Sequence, residues 1–249
     1  MERFVDMHCH VLPEVDDGAQ SLDETRKMLQ TAYDEGIRYI IATPHYHPLR
    51  GRKPPRVLRR QLRLVRREAE KISESLRIFL GNEIYFGQDI PDLLDEEQVL
   101  TMNRTRYVLL EFSTGDSFEH ICKGIRQLQM RGYNVILAHV ERYRCMLEEA
   151  DRARYLTEMG VKIQINAESI TGQCGRKVKK YVRQLMEQDL VFCTGTDAHR
   201  PTVRPPHMQK AAEYVARKYG RQYMRKIFRE NAAVMLKKAA RAADADRQR

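Results

Sequence analysis

The stretch Phe4-Val5-Asp6-Met7-His8-Cys9-His10, followed by Val15-Asp16-Asp17-Gly18 and then Ser21-Leu22-Asp23-Glu24, reads as a strand, a loop and the start of a helix. In an extended strand, residues i and i+2 face the same way. His8 and His10 therefore aim at one point, as two ligands of one metal ion must, while Cys9 points away. The loop can return Asp16 or Asp17 over the same point. Ser21 and Glu24 have the spacing of a capping box, which opens a helix to about residue 35, where Gly36 ends it.

The same unit recurs along the chain. Apolar, β-rich runs at 38–43, 77–80, 107–111, 134–138, 161–166 and 190–194 predict further strands. Helical spacing predicts helices over 57–76, 117–131, 148–159, 176–187, 206–219 and 221–236. Strands alternating with helices imply a parallel sheet with right-handed crossovers. Seven such units suit a distorted α/β barrel of (β/α)7 type better than the alternative, an open doubly wound sheet. No linker or internal repeat divides the 249 residues, so one domain over 1–249 is expected, with the polar end at 239–249 frayed.

Composition narrows the class. No apolar run approaches the ~18–20 residues that cross a membrane, and the N-terminus has no signal-peptide pattern, so cytoplasmic residence is expected. The five cysteines are widely spaced and read as reduced thiols. None begins Cys-x5-Arg, which excludes a cysteine-nucleophile phosphatase. The net charge of +10 is local: between Arg50 and Lys71 ten basic residues meet two acidic ones, giving +8 in that segment. That segment reads either as the solvated face of a helix or as a guide for an anionic partner such as a phosphorylated protein tail or anionic lipid. It has no interleaved aromatics, so stable nucleic-acid binding is not expected.

In a barrel of this kind, function gathers at the C-terminal ends of the strands. His8 and His10 lie at the first such end, His45 at the second, Glu83 at the third, Glu111 at the fourth, His139 at the fifth, and Asp197 and His199 at the seventh. Only the sixth, ending at Asn166, offers no obvious ligand. With Asp17 these are nine nitrogen and oxygen ligands on one rim, too many for one ion and suited to two or three. Imidazole and carboxylate without thiolate favour Mn, Fe or Zn. Clustered divalent ions suit phosphoester hydrolysis.

With these residues placed, the chain resembles the PHP (polymerase and histidinol phosphatase) superfamily. Within it, the resemblance is to the bacterial manganese-dependent protein-tyrosine phosphatases of the capsule and exopolysaccharide type (CpsB/CapC). It rests on His8-Cys9-His10, Thr43-Pro44-His45, Gly81-Asn82-Glu83-Ile84-Tyr85, Leu110-Glu111-Phe112-Ser113, Ala138-His139-Val140-Glu141-Arg142-Tyr143, Thr196-Asp197-Ala198-His199 and Arg204-Pro205-Pro206-His207-Met208. The resemblance implies a PHP-type barrel with three Mn ions, Fe or Zn being alternatives. It assigns His8, His10, Asp197 and a bridging Glu83 to the first ion. Glu83, Glu111 and His139 go to the second, and Asp17, His45 and His199 to the third. Arg142 and Arg204 would grip the substrate phosphate. The implied substrate is phosphotyrosine in the tail of a membrane-associated bacterial tyrosine kinase, attacked in line by a metal-bridged hydroxide. Histidinol-phosphate phosphatase and a nucleic-acid-processing module are the alternatives. Glu14 departs from the family, which often has Gly there.

Overall fold

The computed structural model describes residues 2–149 and 151–236. The expected frayed end at 239–249 lies outside the described residues. Ten strands occur in the order β1 (Phe4–Cys9), β2 (Ile37–Ala42), β3 (His45–His47), β4 (Gly51–Arg52), β5 (Arg77–Leu80), β6 (Glu83–Tyr85), β7 (Tyr107–Glu111), β8 (Asn134–Leu137), β9 (Lys162–Asn166) and β10 (Val191–Gly195). All seven expected strands are present, and three short ones are added: β3 beyond the end of β2, β6 beyond the end of β5, and β4, which forms a hairpin with β3. Pro44, which has no N–H to give a ladder, separates β2 from β3. Gly81 and Asn82 separate β5 from β6. The break is stapled: Gly81 N–H donates to the Ala42 carbonyl (2.9 Å), and the Asn82 side chain donates to the Pro44 carbonyl (2.8 Å).

The hydrogen bonds define two sheets, one ordered β1-β2-β5 and one ordered β10-β9-β8-β7-β6-β3-β4. All pairings are parallel except β3 with β4. Because β3 continues β2 and β6 continues β5, the two sheets together place neighbours in cyclic order. The ring closes between β10 and β1 through a bridge of Cys9 to Ala198, with Asp197 N–H on the His8 carbonyl at 2.7 Å and His10 N–H on the Ala198 carbonyl at 2.8 Å. This cyclic order separates the fold from an open doubly wound sheet.

The main helices are α1 (Leu22–Asp34), α2 (Pro55–Ile72), α3 (Ile90–Asp95), α4 (Phe118–Met130), α5 (Arg144–Glu148), α6 (Asp151–Glu158), α7 (Ala167–Thr171), α8 (Arg176–Glu187), α9 (Gln209–Tyr219) and α10 (Arg221–Arg225). The helix expected over 148–159 is α6, and a short helix not expected, α5, precedes it. The helix expected from residue 206 begins at Gln209, where Glu35 takes over as its cap: its carboxylate accepts from Met208 N–H (2.9 Å) and Gln209 N–H (2.8 Å). His207 pairs with the same carboxylate at 3.0 Å, so it belongs to this cap. After α10 a π-helical turn, Lys226–Glu230, interrupts the last helix.

Two apolar clusters hold the layers. The larger lies under the helices and includes Ile40, Leu58, Val65, Val108, Leu110, Ile163 and Val182. The smaller fills the ring with Val5, Met7, Ile41, Leu109, Ile136 and Cys193, and is joined by Ala232 and Met235. Val5 and Met7 thus point inward, and so do His8 and His10. The strand changes parity between them, where the β1–β2 register slips between Asp6 and Cys9. A bulge of this kind re-aims a side chain without ending the strand.

The seam tolerates no extra atom. A Cβ on Gly195 would lie 2.5 Å from the His8 Cβ. Gly195→Ala should therefore destabilise by about 1–3 kcal/mol through overpacking, read as a lower thermal midpoint with loss of bound metal. An unchanged midpoint would show the seam to be loose.

Candidate metal centre

The rim residues converge on Glu83. Its carboxylate is buried, with Oε1 2.8 Å from His139 Nε2 and Oε2 2.8 Å from His45 Nδ1, 3.2 Å from His8 Nε2 and 3.3 Å from His10 Nε2. His8 and His10 face each other Nε2 to Nε2 at 3.1 Å. Asp197 closes this corner, its Oδ1 3.4 Å from both nitrogens. Glu111 lies beyond Glu83, 3.6 Å from His139 and 3.9 Å from His45. On the solvent side Asp17, half-exposed, approaches His45 Nε2 at 3.3 Å and His199 Nε2 at 3.5 Å.

Three groups have ligand atoms close enough to share an ion: His8, His10, Glu83 and Asp197; His10, Asp17, His45 and His199; and His45, Glu83 and Glu111. All nine sequence-predicted ligands meet here. Two groupings differ from expectation: His10 joins Asp17, His45 and His199, and His45 takes the place of His139 beside Glu83 and Glu111. His45 stands beside Glu83 and Glu111 as well as beside Asp17 and His199, whereas His139 reaches that corner through Glu83 and Glu111.

The donor set fits divalent cations. Five buried atoms of these side chains make no well-aligned hydrogen bond, even where, as for His45 Nδ1 and Glu83 Oε2, two of them lie close together: His45 Nδ1, His139 Nδ1, His199 Nε2, Glu83 Oε2 and Glu111 Oε2. An unpaired buried polar atom costs about 1–3 kcal/mol, and more when charged. Shared cations would satisfy several at once.

Protonation tells the same story. Burial opposes charge on His45, yet Glu83 and Asp17 hold its pKa up at about 9. Burial, reinforced by Glu83, raises Glu111. Burial and then Arg142 press His139 down to about 4. Protons thus stand where a cation would neutralise the carboxylates.

A second layer aims the ligands, and most of it carries no obvious signal in sequence. His10 Nδ1 lies 2.8 Å from buried Asp16, which also accepts from His45 N–H at 2.9 Å. Gln164 takes His8 Nδ1 at 3.3 Å and His139 N–H at 2.7 Å, and Asn166 donates to Asp197 at 3.2 Å. The strand without ligands is therefore a supporting strand. Its alternation, Lys162-Ile163-Gln164-Ile165-Asn166, places Gln164 and Asn166 on one face, a signal that period-two reading could have found. Asp6 anchors the seam on Thr196, with its pKa pushed up to about 6 by burial. His139, Asp197 and Arg204 all have left-handed backbone (φ 32, 51 and 54). Such residues cost about 1–3 kcal/mol each and persist only when their surroundings fix them. Glu14, at φ 61, adopts a conformation natural to glycine.

The two predicted arginines share one anchor. Arg142 and Arg204 reach Asp197 Oδ2 at 2.6 and 2.8 Å, each about one-third exposed and with donors to spare. A third, Arg50, was not foreseen in the site: it lies 3.5 Å from His45 Nε2 and 3.6 Å from Glu111. A cluster of buried carboxylates and imidazoles, flanked by guanidinium forks, can bind cations and an anionic ester together.

Known proteins bear on this geometry. Residues 4–237 match the CpsB/CapC family of capsular polysaccharide synthesis. A tyrosine-protein phosphatase CpsB of Streptococcus agalactiae is 32% identical over 239 residues, covering 94% of this chain and 98% of that protein. Tyrosine-protein phosphatase YwqE of Bacillus subtilis is 31% identical over 238 residues, covering 94% and 92%. A solved structure from work on YwqE of B. subtilis and CpsB of Streptococcus pneumoniae, described as unique metal-dependent tyrosine phosphatases, superposes with a TM-score of 0.82 at 30% identity, covering 88% of this chain and 89% of that one. A lactonase of Listeria monocytogenes, 12% identical with a TM-score of 0.62 over 93% and 94%, shares the fold alone.

Two outcomes follow for the centre. Asp16→Asn, which loosens the aim of His10, should weaken metal binding by about 10–100-fold, measured by calorimetry; unchanged affinity would remove Asp16 from the supporting layer. Because His45 binds a proton up to about pH 9, metal affinity should rise from about pH 6 to pH 9, by about tenfold per unit for each proton displaced. A flat profile would show that the cluster binds cations without releasing protons.

Proposed function

The chain belongs to the CpsB/CapC family of capsular polysaccharide synthesis, and on that footing we propose that it is a metal-dependent protein-tyrosine phosphatase acting as one domain. The observation that carries the reading is the juxtaposition of eight clustered candidate ligands, joined by His139 through Glu83, with Arg142 and Arg204 on their rim.

His8, His10, Glu83 and Asp197 would hold one ion, Glu83, Glu111 and His139 a second, and Asp17, His45 and His199 a third. Mn is the preferred ion, with Fe or Zn as alternatives. Bound divalent ions supply Lewis acidity toward phosphoryl oxygens and a water acidic enough to attack at neutral pH. The chain does the rest. Arg142 and Arg204, already side by side on Asp197, present paired N–H groups to the non-bridging oxygens of the ester. Asp197 is held by Asn166 and Arg142, so those guanidinium groups start from fixed positions. Glu83 keeps four imidazoles in register as ligands. The departing phenolate of tyrosine has a pKa near about 10 and needs less protonation than an alkoxide. The substrate in this reading is a phosphotyrosine-bearing tail of a membrane-associated bacterial tyrosine kinase, met in the cytoplasm. Among the described residues no helix is long and apolar enough to cross a membrane.

The test is a single assay series. Metal-stripped protein should be inactive, and Mn should restore hydrolysis of a phosphotyrosine peptide well above that of histidinol phosphate. No hydrolysis of the peptide with Mn, Fe or Zn would overturn the reading. In the same assay Arg142→Lys and Arg204→Lys should each lower kcat/KM by about 10–100-fold, the loss expected for a charged hydrogen-bonding fork, with metal content unchanged.

A further inference from the structure

We infer that the exposed arginine stripe of α2 is a docking track for an acidic polypeptide segment whose phosphotyrosine enters the metal centre. This inference rests on the phosphatase reading above. Arg56, Arg60, Arg63 and Arg67 are all exposed. Their spacing of four, three and four residues puts them on one face of the helix, over about 16 Å at 1.5 Å per residue. The opposite face, with Leu58, Leu62, Val65 and Ala69, is buried and accounts for the folding of α2.

Nothing in the fold accounts for the outer face. Glu68 is already engaged by Arg26 (2.8 Å) and Lys71 (2.9 Å), and Glu70 is the only other acid on the helix. None of the four arginines forms an ion pair among the described residues. Like charges at i and i+4 repel, so Arg56 with Arg60 and Arg63 with Arg67 work against the helix. A face serving only solubility would mix its signs.

The stripe is also joined to the centre by a short stretch of chain. His45 starts β3, whose hairpin partner β4 follows Arg50, and Arg50 touches both His45 and Glu111. Arg52 lies over the Tyr46 ring at 5.2 Å, and Pro54-Pro55 then opens α2. Along the sequence, cationic residues therefore run from Arg50, in contact with His45, to Arg67 without an intervening acid.

The shape selects the occupant. The track is one helix wide and linear, matching an extended chain of about five residues at ~3.3 Å each. A membrane-surface helix would carry large apolar residues among its cations. Among the described residues the exposed large hydrophobics are Leu49, Met130, Tyr155, Val203 and Val234, none of them on α2. Stacking aromatics for a nucleic acid are likewise missing from the stripe.

The experiment uses the whole chain and the variant R56E/R60E/R63E/R67E, with R56Q/R60Q/R63Q/R67Q as a milder form. In fluorescence anisotropy, an unphosphorylated glutamate-rich peptide should bind the wild type and lose at least about tenfold in affinity to the charge-reversed variant, within the range of electrostatic steering. With Mn, kcat/KM for a phosphotyrosine peptide flanked by glutamates should fall by a similar factor in the variant. For the same peptide with glutamines in their place it should not change. The Gln variant should keep or raise the thermal midpoint. Equal effects on both phosphopeptides, or undiminished binding of the glutamate-rich peptide, would overturn the track. So would a variant that loses only its binding to phosphatidylserine vesicles. If the wild type hydrolyses neither phosphopeptide, the phosphatase reading falls, while the anisotropy arm still decides whether the stripe binds an acidic chain.

Discussion

A single carboxylate, Glu83, in contact with four imidazoles, is the constraint on which the rest of the rim depends. It sits at the start of a strand that resumes after a break. Pro44 and Gly81-Asn82 interrupt neighbouring strands at the same level, and β3 and β6 then resume the pairing of β2 and β5 in the same register, with Glu83 opposite His45. The bulge in β1 is the matching device. It turns a strand whose earlier residues fill the ring interior into one whose histidines enter the centre.

Strain is concentrated where the ligands are. His139, Asp197 and Arg204 have left-handed backbone, each held by a hydrogen bond: His139 N–H to Gln164, Asp197 N–H to the His8 carbonyl, and the Arg204 carbonyl to His199 N–H. The apolar clusters beneath and around the ring supply the stability that such a site draws on. A buried group of carboxylates and imidazoles is costly by itself, and the orphaned donor and acceptor atoms show that the protein alone does not satisfy it. The fold holds a concentration of ligand atoms ready for cations, and the flanking arginines extend the same electrostatic field outward to an anionic ester.

Much of this was legible in the chain because two periodicities are simple. Alternating strand and helix patterns place the strand ends, and ligand-type residues at those ends mark the rim. The nine candidate ligands could thus be named from position alone. Arg142 and Arg204 came from motif resemblance, and the structure brings them to one oxygen of Asp197. The supporting layer was harder to see. Asp16 and Asp17 are adjacent and chemically alike, and only the loop's path decides that Asp16 is buried against His10 while Asp17 faces His45 and His199. Gln164 and Asn166 look like ordinary polar residues until the ring places them beside His8 and Asp197. Arg50 was hidden within a run of like charges.

The sequence by itself determined the class of fold, the rim and the ligand chemistry, since these follow from local period and from residue type at strand ends. Tertiary structure alone decided which candidate ligands share a corner, that His45 stands between two groups, and that a bulge in β1 re-aims its histidines. The reason is physical: local pattern fixes which way a side chain leaves its own strand, but distances between strands far apart in sequence depend on how the ring closes. That closure rests on a few bonds between β10 and β1, where Gly195 lets His8 approach.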